Sequence, residues 1–281
     1  TGCGKSRSMI ADACNISCNE IYDEQLGWIK NGAAEPTLYI TTEQELEEVQ
    51  TMMLAFLSNV NEDTILNGTY SGDEEARVDK AIEILENSPL YIEELPDFSL
   101  RDIENTIKRN VRDNNVTYVF HDYIHTSLKI LEEITKRTGG VKLREDNILF
   151  MISIRLKDLC NELGIFIMSA TQLNGDWKNA EVPDQNLLRG AKALADKIDW
   201  GGILLDVTSE DMEKLEPIIA KGMPKPNVKL SIYKNRQGRW KGIYLWMNAE
   251  RGICRFNTIF ATKYDYELIE GKPNKIIFKA I

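Results

Sequence analysis

Strand-like and helix-like segments alternate regularly along most of this sequence. Short runs rich in β-branched and apolar residues predict strands at 37–42, 90–94, 116–121, 165–170, 200–206, 227–234 and 242–248. Stretches with apolar residues three and four positions apart predict helices at 5–16, 43–60, 73–87, 99–113, 127–137, 147–163 and 189–197. This alternation favours an α/β fold with a mostly parallel central sheet flanked by helices.

The end of the chain departs from that alternation. The last three predicted strands follow one another without long helices between them, so we expect antiparallel strands at one edge of the sheet. Because no repeat, low-complexity segment or long linker interrupts the pattern, a single domain is predicted over residues 1–281. A Gly-Lys-Pro-Asn turn at 271–274 predicts a terminal hairpin extension over 260–281.

Charge and cysteine content narrow the classes of function. With 44 acidic and 34 basic residues the chain carries a net charge of −10, which argues against nucleic-acid binding over the whole surface. Acidic residues cluster in 43–48 and 73–97 and basic residues in 136–144 and 221–241, so a locally basic channel is compatible with this balance. Five irregularly spaced cysteines argue against a disulfide framework, and no apolar run could span a bilayer. A cytoplasmic location is therefore the expectation.

The first residues form the second half of a phosphate-binding motif. Thr1, Gly2 and Cys3 precede Gly4-Lys5-Ser6, which supplies the last three positions of G-x-x-x-x-G-K-[ST]. Small residues let backbone N–H groups approach a phosphate, and the following helix points its N-terminus at the anion. Lys5 can reach the terminal phosphates, and the Ser6 hydroxyl can bind Mg²⁺. The alternative is a chance Gly-Lys-Ser sequence before a helix.

Two acidic residues follow predicted strands. Asp122 ends the hydrophobic run that begins at Val116, where phosphoryl transfer needs a carboxylate to hold a metal ion. Glu43 follows the strand at 37–42, where a carboxylate can orient the attacking water. An equally weighted alternative makes Glu43 an acid at the start of a helix, with Thr41 or Thr42 as the N-cap.

Polar residues at other strand ends have either a functional or an ordinary structural interpretation. Gln172 ends the strand at 165–170 and can sense a γ-phosphate, although a glutamine there is also ordinary. Lys234 and Arg236 open a turn that is either a solvated hairpin tip or a source of an arginine that acts on a neighbouring subunit. His121 and His125 flank Asp122, and packing beside the nucleotide is favoured over a metal pair.

Taken in order, these segments resemble the C-terminal ATPase domain of DnaB-type replicative helicases, including phage versions. The resemblance covers about residues 1–259 and implies a RecA-like P-loop NTPase fold. The matching segments are Thr1–Ser6 for the phosphate loop, Ile40–Glu43 for the catalytic glutamate, Asp73–Leu95 for an acidic helix and short strand, Phe120–Ile124 for the Walker B strand, and Met168–Asn174, Leu188–Gly190 and Lys234–Gly238 for later elements.

The resemblance assigns roles to matching positions. Glu43 would activate water, Ser6 and Asp122 would hold Mg²⁺, and Gln172 would link the γ-phosphate to DNA contacts. Lys234 and Arg236 would act in trans on ATP bound to the next subunit, which implies a ring, typically a hexamer. The implied ATP-binding set is Thr1, Gly2, Cys3, Gly4, Lys5, Ser6, Arg7, Gln172, Lys234 and Arg236, with Lys5 and Arg236 counted as catalytic beside Glu43.

The resemblance also implies single-stranded DNA in a central channel, gripped by loops. Two basic, glycine-containing segments match, Lys136–Asn147 and Asn174–Lys192, with ordinary solvated surface as the alternative. Positive charge confined to a channel would reconcile an acidic protein with a phosphate-rich ligand. The predicted DNA-binding residues are Lys136, Arg137, Lys142, Arg144, Lys178, Arg189, Gly190 and Lys192.

Some features depart from the family pattern. The stretch Ala13–Pro36 is longer than usual, His121 stands where an apolar residue is expected, and Gly190 follows Arg189 in place of an acidic residue. The chain also begins inside the phosphate loop, so a fragment is expected, and primase and loader contacts would need an absent N-terminal region. Two alternatives remain: a RecA-like ATPase of the recombinase or circadian-clock type, and a RecA-fold assembly module that does not hydrolyse ATP.

Overall fold

A computed structural model of the chain describes residues 4–137, 144–173, 197–236, 238 and 240–269. The chain divides into two compact units, one made of Thr1–Ile198 with Glu250–Phe256 and the other of Asp199–Ala249 with Asn257–Ile281. The single domain over 1–281 stays a prediction. Within the described ranges, no helix is long and apolar enough to cross a membrane.

The first unit contains a parallel sheet and a separate hairpin. Its described strands are β1 (Glu20–Asp23), β2 (Gly27–Lys30), β3 (Thr37–Thr41), β4 (Leu90–Glu94), β5 (Tyr118–Asp122) and β6 (Phe166–Ser169). Its described helices are α1 (Lys5–Ser17), α2 (Leu46–Ser58), α3 (Glu62–Asn67), α4 (Glu74–Asn87), α5 (Leu100–Asn114), α6 (Leu128–Arg137) and α7 (Glu145–Leu163). The sheet has the order β4-β3-β5-β6, and each neighbouring pair is parallel.

Side chains of the parallel sheet alternate between two buried layers. Leu38, Ile40 and Val119 pack into a core with α5, α6 and α7. Tyr39 and Phe120 point the other way, into a core with α1, α2 and α4. Because both faces are covered, the central strands carry apolar residues on both faces, and polar residues gather at their ends. The predicted parallel sheet with helices on both faces is therefore confirmed.

The hairpin β1–β2 lies within the long stretch Ala13–Pro36 and was not predicted. The Asp23 carboxylate accepts hydrogen bonds from two backbone N–H groups of the turn, each at 2.9 Å. Gly27 then takes a φ of 73°, which favours glycine. The Lys80 ammonium lies 4.6 Å from the centre of the Trp28 ring, so α4 packs against the hairpin through a cation–π contact.

The second unit is built on antiparallel strands. Its elements are β7 (Trp200–Asp206), α8 (Ser209–Ile219), β8 (Val228–Asn235) and most of β9 (Ile243–Glu250) and β10 (Arg255–Lys263). Among the described residues these strands form a sheet of their own, in the order β10-β9-β8-β7. A 3₁₀ helix, Arg251–Ile253, joins β9 to β10 and belongs to the first unit.

The helix α8 corrects one expectation, because it separates two strands that were predicted to follow without a long helix. It has 11 residues and begins with a capping box, in which Thr208 and Asp211 each bond to the other's backbone N–H. Asp211 also accepts two hydrogen bonds from buried Lys229, at 2.6 and 2.7 Å. Pro217 lies inside the helix and obscures its periodicity in the sequence.

The terminal hairpin is described only in part. Thr262 and Leu268 form an antiparallel bridge, and the N–H of Lys263 donates to the carbonyl oxygen of Glu267 at 2.9 Å. The turn at 271–274 lies outside the described residues, as does nearly all of the helix predicted at 189–197.

Candidate active site

The start of α1 has the geometry of the end of a phosphate loop. Gly4 is the N-cap residue, with φ 95° and ψ 28°, a conformation that side chains disfavour. A Cβ atom at Gly4 would also lie 2.9 Å from the ring of Phe256, so the position is closed to larger residues. The first N–H groups of the helix have no intrahelical partner and can bind an anion. Thr1, Gly2 and Cys3 lie outside the described residues.

Asp122 ends β5 on the side of the sheet that faces α1. Its carboxylate is 4% exposed, and the Tyr39 hydroxyl donates to its Oδ2 atom at 2.8 Å. Burial raises the pKa of Asp122, while hydrogen bonds from Ser6 and Tyr39 and the charge of Lys5 act in the opposite direction. Lys5, Ser6 and Asp122 are therefore close together, as the sequence predicted.

These groups suit a magnesium ion. The Oδ1 atom of Asp122 is buried and has no hydrogen-bond partner among the described residues. A buried carboxylate oxygen without a partner is costly unless a ligand uses it. The hydroxyl of Ser6 and the carboxylate of Asp122 offer the hard oxygen ligands that Mg²⁺ prefers, and Mg²⁺ takes few protein ligands when phosphates supply others.

Thr42 joins the end of β3 to the end of β5. Its backbone N–H and its hydroxyl both donate to the carbonyl oxygen of Asp122, at 2.9 and 2.8 Å. The same hydroxyl accepts from the N–H of Tyr123 at 3.0 Å. The hydroxyl of Thr41 bonds within its own loop, to the carbonyl oxygen of Gln44 at 2.8 Å.

Glu43 is exposed and lies in the loop between β3 and α2. The N-cap of α2 is Glu45, without a side-chain cap, so neither Thr41 nor Thr42 caps the helix. The alternative that made Glu43 an acid at a threonine-capped helix start is therefore wrong. Its Oε1 atom instead accepts a hydrogen bond of 2.5 Å from the hydroxyl of Tyr123.

Tyr123 brings three strand ends together, and sequence reasoning gave it no role. The Nε2 atom of Gln172, just beyond β6, donates to the Tyr123 hydroxyl at 2.8 Å. The Lys5 ammonium lies 5.7 Å from the centre of the Tyr123 ring. The only signal in the sequence was the position of the tyrosine, directly after Asp122 at the carboxyl end of a parallel strand.

Arg7 follows Ser6 but directs its side chain to another helix. Its guanidinium makes a two-point contact with the Glu62 carboxylate, at 2.9 and 2.8 Å. The thiol of buried Cys254 donates to the same carboxylate at 3.2 Å. These bonds fasten α1 to α3, and the ATP-binding role of Arg7 stays a prediction.

The histidines around Asp122 are packing residues. Burial lowers the pKa of His121 to about 3, so its ring is neutral at physiological pH. Its Nδ1 atom lies 3.0 Å from the hydroxyl oxygen of Ser169, and its ring meets that of Phe98 edge-on. The Nδ1 atom of His125 lies 3.2 Å from the carbonyl oxygen of Tyr123. These contacts favour packing over a metal pair.

The residues predicted to act in trans lie in the second unit. Lys234 is in β8, and Arg236 follows the last residue of that strand. The Nη1 atom of Arg236 lies 3.0 Å from the Asp199 carboxylate, and the arginine side chain is 51% exposed. An arginine this exposed, at the start of a hairpin loop, is accessible to another molecule. Its action on a neighbouring subunit stays a prediction.

The predicted DNA contacts are described only at the edges of the first loop. Lys136 and Arg144 are 81% and 83% exposed, and each has an acidic neighbour, Glu132 at 3.9 Å and Asp146 at 3.0 Å. Both cations are therefore accessible to a phosphate that arrives from solvent. The side chain of Arg137 and all of Lys142, Lys178, Arg189, Gly190 and Lys192 lie outside the described residues.

Similarity to known proteins agrees with this geometry. Residues 3–257 match the family model of the DnaB-like helicase C terminal domain. The SPbeta prophage-derived uncharacterized protein YorI of Bacillus subtilis (strain 168) is 42% identical over 275 residues, which cover 96% of this chain and 54% of that protein. The replicative DNA helicase DnaB of Buchnera aphidicola subsp. Baizongia pistaciae (strain Bp) is 28% identical over 83% of this chain and 47% of its own length.

Two solved structures show the same fold. One is an ATPase domain, which matches with a TM-score of 0.62 at 16% identity, over 80% of this chain and 74% of its own. The other is a DnaB-like replicative helicase studied with primase. It matches with a TM-score of 0.62 at 17% identity, over 79% of this chain and 50% of its own. The chain spans about half the length of the curated relatives it matches. With its RecA-like fold and the family match over nearly its whole length, this chain belongs to the DnaB-like helicase C-terminal domain family.

Proposed function

We propose that this chain is the ATP-driven motor domain of a ring-forming replicative DNA helicase. The observation that carries the proposal is the convergence of Glu43, Asp122 and Gln172 beside Lys5 and Ser6, at the carboxyl edge of one parallel sheet. Family membership supports it, and nothing in the comparisons favours the recombinase-type alternative.

The residues of the first unit divide the work of ATP hydrolysis. Lys5 and the N–H groups at the start of α1 bind the phosphates, and Ser6 and Asp122 would hold Mg²⁺, which would neutralise phosphate charge. Glu43 accepts a proton from the attacking water as the water oxygen bonds to the γ-phosphorus and ADP leaves. Gln172 senses the γ-phosphate from the end of β6.

Assembly and DNA binding complete the proposal. Arg236 and Lys234 contact ATP held by the adjacent subunit of a ring, typically a hexamer. The loops at 136–147 and 174–192 grip single-stranded DNA through its phosphates, which suits a motor that does not read bases. The working location is the cytoplasm of a bacterial or phage-infected cell.

The first test measures ATP hydrolysis by the full-length protein, with and without single-stranded DNA. We expect Glu43→Gln to lower kcat by about 10² to 10⁴-fold while nucleotide binding persists, because only the proton acceptor is lost. Arg236→Ala should lower kcat by about 10³-fold or more in the assembled protein. Glu45→Gln and Lys241→Ala serve as controls, because they change exposed charges in the same two loops.

Retained hydrolysis in both Glu43→Gln and Arg236→Ala would overturn these roles. A wild-type protein that binds but never hydrolyses ATP would favour the assembly-module alternative. Hydrolysis with open filaments in place of rings by electron microscopy would favour the recombinase type.

A mixing experiment tests action in trans. Subunits carrying Glu43→Gln and subunits carrying Arg236→Ala are each inactive alone, but are combined in equal amounts before assembly. If each site uses glutamate from one subunit and arginine from its neighbour, random mixing leaves roughly a quarter of the interfaces intact. Recovery toward that fraction is expected, and no recovery in mixed rings would place both residues at one subunit's site.

A further inference from the structure

Tyr123 occupies the centre of the site without a role in the proposed reaction. Its side chain is 9% exposed, and its hydroxyl contacts Glu43 and Gln172 at the same time. These two residues lie beyond different strands, β3 and β6, on either side of β5. The phenol is therefore the one side chain among these described contacts that touches both.

The direction of the hydrogen bonds is fixed by chemistry. An ionised carboxylate only accepts, so the single proton of the Tyr123 hydroxyl goes to Glu43, at 2.5 Å. The phenol oxygen keeps lone pairs, and one of them accepts the amide N–H of Gln172 at 2.8 Å. The order is thus amide to phenol to carboxylate, and each bond polarises the next.

The phenol is held more firmly than the carboxylate it contacts. The N–H of Tyr123 donates to buried Thr42 at 3.0 Å, and the next N–H, of Ile124, donates to the carbonyl oxygen of Ala170 at 2.9 Å. The ring also packs on that of His125, with centres 5.0 Å apart. Glu43, in contrast, is exposed. The Tyr123 phenol therefore sets the position of the Glu43 carboxylate.

We infer that Tyr123 is a positioning residue for ATP hydrolysis, whose hydroxyl holds the Glu43 carboxylate and couples its position to that of Gln172. The inference rests on the proposed ATPase function. When Gln172 shifts, the phenol gains or loses an accepted hydrogen bond, and the strength and direction of its bond to Glu43 change with it. The water-activating base thus follows events at the end of β6.

The test replaces the hydroxyl and keeps the ring. Tyr123→Phe removes both hydrogen bonds but preserves the packing on His125 and the contact with Lys5. In the full-length protein we expect kcat for DNA-stimulated ATP hydrolysis to fall about tenfold, with the KM for ATP within about twofold. Tyr118→Phe, at the start of β5, is the matched control and should leave both constants unchanged.

A double-mutant cycle separates coupling from a general disturbance. Gln172→Ala breaks the same hydrogen-bond chain from its other end and should also lower kcat. If the residues act in series, Tyr123→Phe combined with Gln172→Ala costs no more than the larger single loss. Losses that multiply would overturn the coupling. Because Gln172→Ala probes the chain independently, the cycle remains decisive even if Tyr123→Phe has a lowered melting temperature.

The failure of this inference is distinguishable from failure of the proposed function. An active wild type, an inactive Glu43→Gln variant and a Tyr123→Phe variant with unchanged kcat would overturn the positioning role alone. A wild type without ATPase activity, or a Glu43→Gln variant as active as wild type, would overturn the proposed function and with it the inference.

Discussion

The ends of β3 and β5 lie side by side in one sheet, yet their ionisable side chains differ in solvent exposure. Glu43, beyond β3, is exposed and contacts the protein through the Tyr123 hydroxyl. His121 and Asp122, at the end of β5, are 0% and 4% exposed and face opposite sides of the sheet. Thr42 ties the two ends together through three hydrogen bonds.

The two carboxylates are therefore held in position by different means. Burial fixes Asp122 where a metal ligand must be, but it disfavours the charged form and so costs stability. Exposure leaves Glu43 free of that cost, and a directed hydrogen bond then has to supply its position. Three substitutions test this contrast between a buried and an exposed carboxylate.

Replacing His121 should change the free energy of unfolding more than the other two substitutions. Burial lowers its pKa to about 3, so the folded state holds it neutral while the unfolded state takes up a proton below its ordinary pKa. The resulting stability is complete above about pH 6.5 and is lost as the pH falls toward the folded pKa, by roughly 1.4 kcal/mol per unit. His121→Leu should therefore flatten the fall in the free energy of unfolding between pH 6.5 and pH 4, measured by urea unfolding.

His125→Asn provides the control for that measurement, because His125 is only half-buried. It should keep most of the acid sensitivity of the wild type, because burial, the larger cause of the lowered His121 pKa, remains and only the smaller effect of the His125 charge is removed. An unchanged pH dependence in His121→Leu would show that the buried imidazole does not govern acid stability.

An intermediate effect is expected where the two strand ends join. Thr42→Val keeps the shape of the side chain but leaves the N–H of Tyr123 without its acceptor. Loss of a buried hydrogen-bond partner costs about 1–3 kcal/mol, so the urea midpoint should fall accordingly. Thr51→Val, on the exposed face of α2, is the matched control. Equal stability of the two variants would contradict the view that Thr42 fastens β3 to β5.

The smallest effect is a gain in stability. Burial raises the pKa of Asp122, so at neutral pH the folded protein holds a charge that it disfavours. Asp122→Asn keeps an acceptor for Tyr39 and should raise Tm without nucleotide by about 2–4 °C at pH 7.5, the shift expected from ~1 kcal/mol. The gain should shrink as the pH falls and the wild-type carboxyl takes up its proton. Asp79→Asn, on the exposed face of α4, is the control and should show no gain in Tm. A lower Tm in Asp122→Asn would contradict the view that the buried charge of Asp122 costs stability.

Much of the parallel sheet and the meeting of its strand ends could be predicted. The strands β3, β5 and β6 are short apolar runs, and parallel strands place their carboxyl ends at one edge. The sequence positions of Glu43, Asp122 and Gln172 therefore already implied proximity. The order of the motifs along the chain predicted membership of the DnaB-like helicase family, and the comparisons confirmed it.

Other features depended on contacts that no local pattern carries. The strands β1 and β2 have four residues each, too short for a clear alternation, and they are stabilised partly by α4, far along the chain. Helix α8 contains Pro217, which masks its periodicity. Tyr123 has no motif of its own, and its contacts with Glu43 and Gln172 span 80 and 49 residues.

The register of β5 against β3 has a consequence for how this family can vary in length. Ile40 pairs with His121 and Thr41 with Asp122. Because successive side chains point to opposite faces, one residue inserted or deleted within β5 would turn the carboxylate into the apolar layer and the imidazole toward α1. Natural insertions and deletions should therefore spare this strand and collect in segments such as the β1–β2 hairpin, where an added residue only lengthens a turn.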